Sequence, residues 1–141
     1  MTAETVGLTE NSGWQVGVRK TLPINPAKAW EFLLSSEMVN LWLGVLPDVQ
    51  FQRGARFHLE DGTDVKITVL KPNSHLRMRF QPVNYTQPTL IQVRVIPSGE
   101  NTVFAFHQEQ LPDREARQER KYYYQQVLDD LEKILGVFPY N

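Results

Sequence analysis

No cysteine occurs among the 141 residues. That absence excludes disulfides, thiolate nucleophiles and Cys-ligated zinc or iron–sulfur centres together. No apolar run approaches the ~20 residues that a membrane span requires. The opening stretch MTAETVGLTENSG is polar, unlike the apolar centre of a secretory leader. Neither sign of charge dominates, since 15 Lys and Arg stand against 16 Asp and Glu for a formal net charge of −1. Such a chain lacks the overall positive field that draws nucleic acid or anionic lipid. A glycine-rich phosphate loop is missing, and His58, His75 and His107 are scattered without metal-ligand spacing. The expectation is a cytoplasmic protein without cofactor or metal, and with neither nucleic acid nor membrane as partner.

What is present reads as a globular chain. Hydrophobic residues make up 41% and charged residues 22%, and a chain of this length buries ~68–70% of its unfolded surface. Residues 1–12 are small and polar and are expected to form a flexible arm. A single domain is expected over 13–141, because repeats, linkers and low-complexity tracts are all missing.

The hydrophobic period changes along the chain. Trp14, Val16 and Val18 alternate with polar neighbours as in a half-buried strand. Asn25-Pro26 suits a helix start, and Ala29, Trp30, Leu33 and Leu34 follow at helical spacing. That helix should stop near Ser35-Ser36, with Ser36 capping a second one over Glu37–Leu43 and Gly44 ending it. From Phe51 the period is two. Phe57 and Leu59, then Val65, Ile67 and Val69, then Leu76, Met78 and Phe80, then Ile91, Val93 and Val95, then Phe104 and Phe106 each keep one face apolar. Turns are marked at Asp61-Gly62, Lys71-Pro72-Asn73-Ser74 and Pro97-Ser98-Gly99. Short turns between neighbours predict an antiparallel sheet covered on one face. The cover should be a helix over 113–135, capped by Asp113 and ended by Gly136, with Tyr123, Val127, Leu131 and Ile134 on one ridge and Tyr124, Leu128 and Leu135 beside it. The fold class is therefore α+β: an antiparallel sheet covered by a long C-terminal helix, with two short helices between the first two strands.

This order resembles the helix-grip fold of the START-like (SRPBCC, birch-allergen-like) superfamily, which implies that the antiparallel sheet is curved and wraps around the long C-terminal helix. Within it, the chain resembles the family named after the activator of heat-shock protein 90 ATPase. The resemblance is carried by Asn25-Pro26 with Trp30, by Trp42-Leu43-Gly44, by Gly54 opening a strand, and by Leu111-Pro112-Asp113 leading into a helix of aromatics and then leucines. It spans Trp14 to Leu135. Where relatives carry a Gly-Trp pair in the last helix, this chain has Tyr122-Tyr123-Tyr124. Where many carry a histidine three residues before the Leu-Pro, it has Gln108.

The resemblance implies a cavity between sheet and helix. Its wall would be Phe57, Leu59, Ile67, Met78, Phe80, Val93, Phe104 and Phe106, its lid Tyr123, Val127 and Leu131, and Trp42 its edge. Each of these side chains is also what an ordinary core contains. By strict alternation the inner strand positions hold no Asp, Glu, His or Lys. The inward polar groups would be the Tyr122–Tyr124 hydroxyls, Gln108 and the indoles of Trp30 and Trp42, which orient ligands but carry protons poorly near neutral pH. Arg114–Lys121 reads as a solvated helix face. Some superfamily relatives are cyclases or hydroxylase partners, yet no acid–base, nucleophile or metal constellation is legible here. The expected function is non-catalytic binding of a small hydrophobic ligand of lipid or aromatic-metabolite type, by a monomer or a homodimer. The alternative is a chaperone-associated interaction module of the activator type.

Overall fold

The computed structural model describes residues 8–9 and 13–140. Chain order is β1 (Leu8–Thr9), β2 (Gly13–Leu22), α1 (Pro26–Leu33), α2 (Ser36–Trp42), β3 (Arg56–His58), β4 (Asp64–Lys71), β5 (His75–Gln81), β6 (Thr89–Ser98), β7 (Asn101–Leu111) and α3 (Arg114–Val137). Of the arm expected over 1–12, Leu8 and Thr9 pair with Trp14 and Gly13. The rest of that arm lies outside the described residues.

Local chemistry sets the helix ends. Asn25 Oδ1 accepts from the Ala27 amide at 2.9 Å, and Pro26 starts α1, where its missing N–H is an unused donor in any case. The cap of α2 is Ser35, not Ser36, and its hydroxyl donates back to Phe32 O at 2.8 Å. Gly44 follows α2 with φ 140°, a backbone that L side chains avoid. A Cβ there would also stand 3.1 Å from Leu59 Cδ1. Asp113 Oδ1 accepts from the Ala116 amide at 2.7 Å to start α3. Gly136 does not end that helix. The helix runs on to Val137, and the Phe138 amide closes onto Ile134 O at 2.8 Å.

The sheet is antiparallel throughout, in the order β1-β2-β7-β6-β5-β4-β3. The helix α3 lies against its inner face, chiefly over β2 and β7. At 1.5 Å per residue α3 is about 36 Å long, enough to cross the sheet. Its buried stripe is Ala116, Tyr124, Val127, Leu128, Leu131 and Leu135, while Tyr123 and Ile134 are half-buried. Each fully buried leucine contributes about 1.5–3 kcal/mol relative to exposure.

Two inner-face expectations change. Val69 leaves the inner face, because the β4–β5 register shifts between Ile67 and Val69. Val69 then opposes Arg77, and Leu70 opposes Leu76. Lys20, in contrast, lies on the inner side of β2, in step with Val16, Val18 and Leu22. It reaches α3 at the sheet margin, where its Nζ meets Asp129 at 2.9 Å and Glu132 at 3.1 Å. No helix among the described residues is long and apolar enough to cross a membrane.

Candidate functional site

Of the twelve expected wall and lid residues, Tyr123 is half-buried and packs against the core. The other eleven are buried in one hydrophobic cluster. Trp42 sits well inside it at 1% exposure, not at an edge. Its indole N–H donates to Leu33 O at 2.9 Å, and its ring lies 6.0 Å from that of Phe106. Phe106 in turn stacks on Tyr124 at 5.1 Å. Trp30 is a core residue between α1 and the sheet, and Tyr122 points outward with 71% exposure.

Among these apolar side chains lies one polar centre. Gln108 and Tyr124 are both 0% exposed. Gln108 is on the inner face of β7 by the same alternation that buries Phe104 and Phe106. Its Oε1 accepts from the Tyr124 hydroxyl at 2.7 Å and from Arg120 Nε at 2.8 Å. Its Nε2 donates to Thr89 Oγ1 at 2.9 Å, and that hydroxyl donates to Phe80 O at 2.6 Å. A buried amide is tolerated only when its lone pairs and protons find partners. No buried side-chain N or O among the described residues lacks one.

Arg120 overturns the reading of Arg114–Lys121 as a wholly solvated face. It stands four residues after Ala116 and four before Tyr124, on the inward stripe of α3, and is only partly exposed. Its guanidinium carbon is 5.0 Å from the Phe80 ring centre, 4.5 Å from Tyr123 and 4.9 Å from Tyr124. These ring faces attract the cation and offset part of its lost hydration. Besides the Nε bond, one Nη2 donates to Tyr124 Oη at 3.0 Å. Arginine carries five N–H donors and keeps its charge in proteins, and the others have no protein acceptor among the described residues. No carboxylate there forms an ion pair with Arg120. Asp61 is near enough to feel its charge, but the Asp61 carboxylate is engaged by the Thr63 amide at 2.9 Å, which holds its pKa below the ordinary range. Burial pushes the Tyr124, Tyr123 and Tyr85 hydroxyls above the usual tyrosine range, with Arg120 pulling the other way.

The rim around Arg120 comes from α3, the Asp61-Gly62 turn and the loop after β5. The Tyr123 hydroxyl donates to Leu41 O, closing α3 onto α2. Val83 is 77% exposed, and a Cβ on Gly62 would come within 2.9 Å of it, so the two loops touch at this end. The spacing 116–120–124 was the one sequence signal for Arg120. It was obscured by the charged run on either side.

On the opposite face the sheet is basic. Arg56, Lys66 and Arg79 stand directly opposite one another across β3, β4 and β5, and Asp64 on the same face pairs with Arg56 at 2.9 and 3.2 Å, leaving Lys66 and Arg79 as the unrelieved neighbours. Arg94 stands opposite His75. Burial, followed by the charges of Arg94, Arg77 and Lys71, holds the His75 imidazole below its usual pKa. A groove of about 500 Å³ on this face is bordered by Arg77, Arg79, Gln92 and His107.

A family whose description reads "Activator of Hsp90 ATPase homolog 1-like protein" matches residues 23–136. No curated protein sequence matches the chain. Among solved structures, protein MLL2253 of Mesorhizobium loti is similar at TM-score 0.73 and 20% identity, covering 89% of this chain and 99% of that one. PFC0360w, an HSP90 activator from Plasmodium falciparum, is similar at TM-score 0.69 and 16% identity, covering 86% and 96%. The Aha1 dimer from Colwellia psychrerythraea gives TM-score 0.67 and 16% identity, covering 86% and 95%. At such identities these structures share the helix-grip fold, and nothing more specific follows from them. The family match covers most of the chain, from the loop before α1 almost to the end of α3, and with it the chain belongs to the family of activator of Hsp90 ATPase homolog 1-like proteins.

Proposed function

We propose that this protein binds a small, largely apolar molecule between the sheet and the first half of α3, without catalysing its conversion. One observation carries this reading: a cation and a hydrogen-bonded amide stand at one end of an otherwise aromatic and aliphatic interface, with donors left over. Binding sites for small molecules combine an apolar lining with a few convergent polar groups in this way. The wall residues pack against one another, so a ligand would enter by displacing rim side chains such as Tyr123 and Tyr85. The polar groups of this centre are an arginine, an amide and tyrosines whose hydroxyls titrate above their usual range. None is an acid or base suited to neutral pH. Native mass spectrometry of protein purified without detergent, with a thermal-shift screen of lipids and aromatic metabolites, tests the proposal. Co-purified mass or a dose-dependent rise in melting temperature is expected, and neither appearing would remove it.

A second reading rests on the basic outer face. Like charges placed directly opposite across strands are unfavourable in the free protein. An acidic protein surface would relieve that repulsion through charge complementarity, which suits an interaction module. The fold relationship to PFC0360w, an HSP90 activator, supports the same partner type. Stimulation of the ATPase of an Hsp90-class chaperone, lost on Arg79→Glu, is the expected result. An unchanged rate with the wild-type protein would end this reading.

A further inference from the structure

We infer that the molecule bound beneath α3 is an anion, specifically a carboxylate on an apolar body, and that Arg120 is the residue that recognises it. The inference rests on the binding function proposed above and names its ligand class. Three features of Arg120 converge.

The first is its lack of a direct ion pair. A partly buried cation is costly unless an anion or acceptor meets it, and Arg120 has three aromatic faces and two neutral acceptors but no ion pair among the described residues. Asp61, the nearby acid whose charge it senses, stays ionised and accepts from the Thr63 amide, and it makes no ion-pair contact with the guanidinium.

The second is its orientation. Gln108 Oε1 holds Nε and Tyr124 Oη holds one Nη2 hydrogen, so the guanidinium plane is fixed from the protein side. The Nη1 edge keeps unused donors, and no buried one lacks a partner, so those donors remain reachable. A planar fork of this kind matches both oxygens of a carboxylate. Gln108 is itself held by Thr89, so the fork is in place before any ligand arrives.

The third is what surrounds that edge. Tyr85 and Tyr123 are half-buried, Val83 is exposed, and all three belong to the rim at this end of the sheet. An apolar body lying there would cover exposed hydrophobic surface while its head group sits on the fork. A neutral lipid would leave the free donors of the fork without a charged acceptor, and a small inorganic anion would leave the rim uncovered.

Decanoate and decanol, measured by calorimetry and thermal shift at pH 8 on the full-length protein, test this directly. The wild-type protein should bind decanoate at least about tenfold more tightly than decanol, the margin expected of hydrogen bonds to charged groups. Arg120→Met should bring the two ligands to equal affinity. Arg120→Lys, which keeps the charge but not the fork, should lie between them and decides the matter if the methionine variant does not fold. Equal binding of both ligands by the wild-type protein would overturn the inference while leaving the apolar-binding function standing. Binding of neither would overturn the inference, while the wider screen of lipids and aromatic metabolites decides the apolar-binding function on its own.

Discussion

The Tyr124 hydroxyl donates to Gln108 Oε1 at 2.7 Å at a point between α3 and β7 where neither side chain has any exposure. The pair joins the long helix to the last strand and fixes the amide that orients Arg120. It is therefore a structural contact and, under the proposed function, the support that holds the guanidinium in place.

Tyr124→Phe should destabilise the protein by about 1–2 kcal/mol, since it keeps the ring but withdraws a donor from buried Gln108 and an acceptor from Arg120. Urea unfolding at pH 7 measures this, and an unchanged midpoint would refute it. The same variant should alter the alkaline limb. Burial raises the Tyr124 hydroxyl above its ordinary pKa, so the folded state keeps a proton that the unfolded chain gives up near pH 10. Stability from this source is complete below that range and falls as pH rises through it. Wild-type stability should decline above about pH 10, and Tyr124→Phe should decline less steeply, with Tyr123 supplying part of the remaining slope.

Gln108→Glu should supply Arg120 with an internal countercharge at the position where Oε1 now accepts from Nε. A buried ion pair roughly balances its own desolvation, so stability should stay within about 1–2 kcal/mol of the wild type. The preference for decanoate over decanol should vanish. Retained preference in a well-folded Gln108→Glu protein would show that the fork does not read charge.

Lys66→Glu places an acid directly opposite Arg79, beside Arg56 that Asp64 already pairs, and so removes the Lys66–Arg79 repulsion. Its melting temperature should rise at low ionic strength, and the gain should shrink as salt is added. Any docking to an acidic chaperone surface should weaken at the same time. A fall in melting temperature at low salt would mean that the row carries no repulsion.

Leu131→Ala, at the centre of the buried stripe of α3, should cost about 2–5 kcal/mol through the cavity it leaves. Trp42→Phe should cost about 1–2 kcal/mol for the orphaned Leu33 carbonyl, with further loss from the smaller ring. Chemical denaturation orders the two, and a neutral Leu131→Ala would contradict the packing described.

The strands were legible because one side of the sheet is buried and the other wet, which imprints a period of two on β2, β5, β6 and β7. Asn25 and Asp113 were legible as caps because their side chains do local work that sequence spacing encodes. Gly136 misled, since glycine ends a helix only where the backbone turns left-handed, and here the helix simply continues. Val69 was misplaced because a bulge changes the face of a strand without changing its alternation. Lys20 was missed because its amine reaches the acids of α3 at the sheet margin, where an inward position need not be dry. Arg120 was missed for a related reason. Its neighbours Arg114, Arg117 and Lys121 make the segment look uniformly solvated, and only the four-residue steps from Ala116 and to Tyr124 set it apart. Gln108 was read as inward-facing, but its partners come from β6 and α3, which lie far from it in the chain.

The bond from the Trp42 indole to Leu33 O spans the break between α1 and α2. It caps the end of one helix with a side chain from the end of the next, and so splints the two into a single rigid elbow. Tyr123 ties α3 to that elbow through Leu41. Amide exchange should accordingly be slow through the elbow, where the Leu34, Val39 and Leu43 amides are all hydrogen-bonded, and Trp42→Phe should speed it there first.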